Sequence, residues 1–160
     1  MWDMNNYGFT LLECIMIIAI LAISYTIAFA HLPRFIYTYT ATTTIQQLQQ
    51  ILHYGRSVAI AQQKNIIICP SYDRSHCAVE WGSGILLIGD NIKQHFNLNL
   101  GTHGLLTLQQ YGSSNYKIEL LASGFLNNNG HFTFKSSKHQ DWQQYNLYFN
   151  KALRTYLRNP

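Results

Sequence analysis

Between Phe9 and Ala30 the chain carries a single charged residue, Glu13, within an otherwise apolar run. As a helix, a run of this length crosses a hydrocarbon core about 30 Å thick. An ordinary secretory signal has a basic start, a shorter apolar core and a small-residue cleavage site after it. Here the run is longer, and Met1 to Tyr7 contain neither Lys nor Arg. A carboxylate in lipid is costly, so an ionisable residue inside such a segment is by default a functional one. The alternative keeps Glu13 hydrated at the interface, close to where the segment begins.

The remaining residues are polar and rich in Tyr, Asn and Gln, with enough Val, Ile, Leu, Phe and Tyr for one modest core. In a chain of 160 residues that suits one small domain beside the apolar segment. Pro33 is expected to kink the helix or end it briefly. Helical periodicity resumes from Thr42 to Gln63, where Ile45, Leu48, Leu52 and Ala59 share a stripe that reads as core. Gln46, Gln49 and Gln50 point elsewhere. Gly55 lowers helicity, and its lack of a side chain suits close packing.

From Asn65 the period shortens. Strands are expected at Ile66–Cys69, at Val79–Ile88 with an interruption at Gly82-Ser83-Gly84, and at Leu105–Gln109, Tyr116–Leu121, His131–Phe134, Tyr145–Phe149 and Leu153–Arg158. Gly101, Gly112 to Asn115, Asn127 to Gly130 and Asn150-Lys151 supply the turns. The fold class is α+β, an antiparallel sheet pair packed on the helix.

Cys69 and Cys77 flank a short polar loop. Outside the cytoplasm this predicts a Cys69–Cys77 disulfide and leaves Cys14, in the apolar run, as a buried thiol. Metal ligation through His76 and Cys77 is the rival reading, although that neighbour pair lacks the spaced ligand sets of a zinc site. The histidines are otherwise scattered, acids are few, and the sequence holds no HExxH, nucleophile elbow or phosphate-cradling loop. No catalytic site, cofactor or metal is expected.

Net charge is +4. Residues 131–160 hold Lys135, Lys138, Lys151, Arg154 and Arg158 against Asp141 alone, so the whole formal excess sits there. On a final strand, alternation puts Leu153, Thr155 and Leu157 on one face, with Arg154, Tyr156 and Arg158 on the other. Two guanidinium groups with a phenol between them can meet phosphates and stack on bases. The plainer reading is an edge strand protected by charge.

Gly8-Phe9-Thr10-Leu11-Leu12-Glu13 ahead of an apolar helix resembles the class III signal of type IV pilins and type II secretion pseudopilins. The resemblance implies a leader of residues 1–8, cut between Gly8 and Phe9 by a prepilin peptidase, and N-methylation of Phe9. It also implies that Glu13 pairs with the new amine during filament assembly, which offsets the burial of both charges. Leaders of that family usually carry Lys or Arg before the glycine, whereas this one has Asp3. The implied layout is a membrane helix over 9–30, its amphipathic continuation over 31–64 and a β-rich domain over 65–160.

Further stretches resemble the FimT/GspH branch of minor pilins and pseudopilins: Gly55-Arg56-Ser57-Val58-Ala59 at the helix end, Ile66–Pro70, Cys77-x-x-x-Trp81, and Phe125-x-x-x-x-Gly130-x-Phe132-Thr133-Phe134. That implies a pilin fold, anchorage as a single-pass protein in a bacterial inner membrane with the β-rich domain in the periplasm, and other pilins as partners in a filament. DNA-binding members carry Gly-Arg-x-Arg at the closing hairpin. Here Lys151-Ala152-Leu153-Arg154 keeps only the last arginine, and DNA is the partner under that reading.

Overall fold

The computed structural model describes residues 10–102, 104–112, 116–139 and 141–158. The leader and the Gly8/Phe9 cleavage and methylation positions lie outside them. Among the described residues one helix, α1, spans Leu11–Gln62, and eight strands follow. The chain divides into two compact units at Ile36/Tyr37.

In the first unit, Leu11–Phe29 is long and apolar enough to cross a membrane, and none of it is buried within the protein. Its two aliphatic hydroxyls beyond the first turn are satisfied inside the helix. Ser24 Oγ donates to the Ile20 carbonyl at 2.8 Å and Thr26 Oγ1 to that of Ile23 at 2.7 Å, so neither leaves an unpaired donor on the helix surface. Cys14 is a free thiol on the exposed surface of the helix rather than a buried one, because a lone helix has no interior to place it in. Pro33 does not end the helix: α1 runs through it, without the hydrogen bond its missing N–H would have made.

The second unit contains the core. Along α1, Tyr37, Ala41, Ile45, Leu48, Leu52 and Ala59 are buried at helical spacing. Gly55 closes that stripe: a Cβ there would lie 2.8 Å from Leu120 Cδ1 and 2.9 Å from Ile68 Cδ1. Gln46 and Gln50 face solvent as expected. Gln49 instead turns inward and donates to Thr155 Oγ1 at 2.7 Å. Tyr37 donates its hydroxyl to the Gln143 carbonyl at 2.9 Å. Burial, with Tyr145 alongside, pushes its pKa up to about 12, so the phenol remains a donor.

Two antiparallel four-stranded sheets supply the other layers. β1 (Ile66–Pro70), β2 (Gly84–Ile88), β3 (Lys93–Asn97) and β5 (Ile118–Leu120) form one, in the order β3-β2-β1-β5. β4 (Gly104–Gln110), β6 (Gly130–Ser136), β7 (Tyr145–Phe149) and β8 (Thr155–Arg158) form the other, in the order β4-β6-β7-β8. Inward residues alternate, as in Phe132 and Phe134 on β6 and Tyr145, Leu147 and Phe149 on β7. Each fully buried side chain of this size contributes about 1.5–3 kcal/mol. Trp81 ties the sheets together, meeting Phe132 edge-on at 4.7 Å and donating its indole N–H to the Tyr116 carbonyl at 3.0 Å.

Three strand expectations need correction, and one strand was not expected. Val79 to Ser83 is irregular, and β2 begins at Gly84. The segment expected over Tyr116–Leu121 pairs only over Ile118–Leu120. β3 was not anticipated, because Lys93-Gln94-His95-Phe96-Asn97 shows no apolar alternation. The last strand starts at Thr155 rather than Leu153, which has φ +54°. A leucine in the left-handed region costs about 1–2 kcal/mol; here Leu153 is only 1% exposed, and its burial offsets that. Leu157, expected on the inner face, is half exposed because β8 is the sheet's last strand.

Candidate functional site

Glu13 lies in the first turn of α1, and Thr10 precedes that helix. The Glu13 carboxylate accepts from the Thr10 backbone N–H at 3.0 Å and the Thr10 hydroxyl at 3.1 Å, while the Glu13 N–H donates to Thr10 Oγ1 at 3.3 Å. Thr10-Leu11-Leu12-Glu13 is thus a reciprocal capping box, in which side chains satisfy N–H groups that the first turn leaves free. A negative charge there also complements the positive end of the helix dipole. The T-x-x-E spacing was present in the sequence and would have signalled this local role. The Phe9 amine, the expected partner of Glu13, lies outside the described residues.

In the second unit, Cys69 and Cys77 are bonded, with Cα atoms 5.6 Å apart. Within the loop, Asp73 accepts from the N–H groups of Ser75 and His76, at 2.9 and 2.8 Å, and lies 2.7 Å from His76 Nδ1. The His76 ring bond, followed by these backbone donors, holds the Asp73 carboxyl well below the usual carboxylate range. With Cys77 in the disulfide, its thiolate cannot serve a metal, and no group of three His, Cys, Asp or Glu among the described residues could hold one.

The basic residues do not form one patch. Register places Arg158 opposite Asn146, Tyr156 opposite Tyr148, and Thr133 opposite Asn146, so Tyr156, Arg158 and Lys135 occupy the outer face of one sheet. Arg154 is exposed just before β8. Lys138 follows β6 at one end of the sheet, and Lys151 lies in the β7–β8 turn at the other. Between them runs a row of rings that the sequence reading missed. Tyr156 stacks on Tyr148 at 5.1 Å with planes 8° apart, Tyr148 stacks on His131 at 4.8 Å, and His131 lies 6.1 Å from Tyr111. The signal was period two on three strands, legible only once the register is known. Burial lowers the His131 pKa, and its buried Nδ1 has no partner among the described residues, so this row carries its charge at the Arg154–Arg158 end.

No family sequence model matches the chain, and no curated protein sequence matches it. The structure is similar to the type IV minor pilin FimU of Pseudomonas aeruginosa, with a TM-score of 0.60 at 18% identity over 79% of this chain and 96% of that one. A second crystal form of FimU gives 0.51 at 20% identity over 74% and 96%. The minor pseudopilin EpsH from the type 2 secretion system of Vibrio cholerae gives 0.52 at 12% identity over 75% and 97%. The chain has the minor-pilin fold. Within that fold Glu13 opens the apolar helix, the disulfide closes the loop after β1, and the arginine-flanked ring row lies across the outer face of the sheet that ends the chain.

Proposed function

We propose that this protein is a minor subunit of a type IV pilus-like or type II secretion filament, held in the bacterial inner membrane by α1 before assembly, with its β-rich domain in the periplasm. The observation that supports this reading is the minor-pilin fold on a chain whose helix starts as an uninterrupted apolar span with one carboxylate in its first turn. In that reading a prepilin peptidase cuts between Gly8 and Phe9, Phe9 is N-methylated, and the freed amine pairs with Glu13 beside other pilins. The layout of leader, membrane helix, amphipathic continuation and β-rich domain is part of the same proposal. Replacing Gly8→Ala is expected to leave the precursor at full mass in cells that contain the peptidase. Normal shortening of that variant by mass spectrometry contradicts the leader assignment.

A second reading rests on the outer sheet face. We infer that Arg154, Tyr156 and Arg158 bind DNA, with phosphates on the guanidinium groups and the exposed ring of Tyr156 available for stacking. Lys135 lies on the same face, whereas Lys138 and Lys151 lie at its two ends and act at longer range. The test is a titration of the full chain in detergent with a labelled oligonucleotide at two salt concentrations. The expected result is salt-sensitive binding lost in the Arg154→Ala/Arg158→Ala double variant, since phosphate contacts release counterions. Absence of binding at low salt leaves those residues as charge that guards an edge strand.

A further inference from the structure

Of the four edge strands among the described residues, three are covered or blunted in the ways natural sheets use against unwanted pairing. β3 carries Lys93, β5 is three residues long, and β8 is four residues long and ends in Arg158. β4 is different. It runs seven residues, Gly-Leu-Leu-Thr-Leu-Gln-Gln, without charge or proline, and pairs with β6 in unbroken register from Gly104↔Ser136 to Gln110↔Gly130. On its other side no described strand pairs with it. In an antiparallel strand every second residue then directs its N–H and C=O outward.

That open edge faces a cleft of about 750 Å³, which β4 lines from Leu105 to Gln110. The segment 79–81 lines it as well, together with Tyr111 and Tyr116. That segment is built rather than loose. The Cys69–Cys77 disulfide anchors its approach, the Ala78 N–H donates to the Pro70 carbonyl at 2.7 Å, and the Tyr72 hydroxyl donates to the Glu80 carbonyl at 3.2 Å. Trp81 is fixed by its bond to Tyr116. The cleft presents apolar surface on Val79 and Leu105, both exposed, and one charge, Glu80, which makes no ion pair among the described residues.

We propose that this cleft receives an extended segment of a partner polypeptide, which adds as a fifth strand beside β4. Unpaired backbone along an uncharged edge selects an extended chain, because main-chain hydrogen bonds supply affinity and alternate side chains supply specificity. Lone Glu80 selects a basic side chain on the incoming segment, and the apolar surfaces select Val, Ile or Thr at alternate positions.

The test uses the full chain in detergent micelles and labelled peptides of seven residues that alternate Val with Thr and carry one Lys, moved along the series. Saturable binding is expected for at least one register, with slowed amide exchange over Leu105–Gln110. N-methylation of that peptide's alternate amides is expected to weaken binding about tenfold or more, because only main-chain donors are removed. Glu80→Lys, at an exposed position, is expected to weaken the Lys peptide about threefold and favour its Asp counterpart. Three results each overturn the proposal: no saturable binding across the series, equal binding of the N-methylated peptide, or protection that falls elsewhere. A chain that is dimeric in detergent, is made monomeric by Leu105→Lys and binds no peptide assigns the edge to a second copy and overturns it as well.

Discussion

The carboxylate of Glu13 caps the helix it begins, so a change at this position acts on two properties at once. Removing the side chain costs the reciprocal half of the capping box, its bonds from the Thr10 N–H and hydroxyl, as well as the charge. Glutamine keeps the capping-box geometry and removes the charge alone. Close packing at Gly55 is a second single-residue effect. With Leu120 and Ile68 methyl carbons 2.8 and 2.9 Å from where a Cβ would be, Gly55→Val is expected to destabilise the domain by about 1–3 kcal/mol, despite the better helix propensity of valine. Denaturant titration of the full chain in detergent checks this; an unchanged midpoint contradicts the packing. The core stripe of Ile45, Leu48, Leu52 and Ala59 was legible because helical period is a local property of sequence. Gln49 was not, since its partner, Thr155, is 106 positions away.

At the scale of elements, the strands that were legible are those with one buried and one open face, such as β6 and β7. β3 escaped notice because all its residues but Phe96 are polar and none is fully buried; pairing to β2 and the packing of that one ring hold it. The start of β8 was misplaced because alternation in Leu153-Arg154-Thr155 looks the same whether Leu153 is extended or, as here, in a left-handed turn that buries it. The loop between β1 and β2 depends on its disulfide. Closing a loop over a sequence separation of 8 stabilises by about 2–3 kcal/mol. The Cys69→Ser/Cys77→Ser double variant is therefore expected to unfold at lower denaturant, with faster amide exchange confined first to residues 71–81. Uniform loss of protection across both sheets contradicts a local staple.

For the molecule as a whole, the α+β class was readable from the switch of period at Asn65, and the long apolar start of the helix from a run with one charge. The grouping of strands into two sheets was not readable, because pairing of β1 with both β2 and β5 joins segments that no local pattern relates. The outer-face ring row and the open edge of β4 follow from the order β4-β6-β7-β8 in the other sheet and were hidden in the same way. The central claim remains that the chain enters a filament through the charge on Glu13. The most direct measurement compares wild type, Glu13→Gln and Glu13→Ala in cells that make the filament, by quantifying the mature protein in sheared filaments against that left in the membrane. Wild type is expected in the sheared fraction, and both variants are expected to be processed yet retained in the membrane. Recovery of Glu13→Gln in filaments at the wild-type level reduces Glu13 to a helix cap, and absence of the wild-type protein from them contradicts the filament role itself.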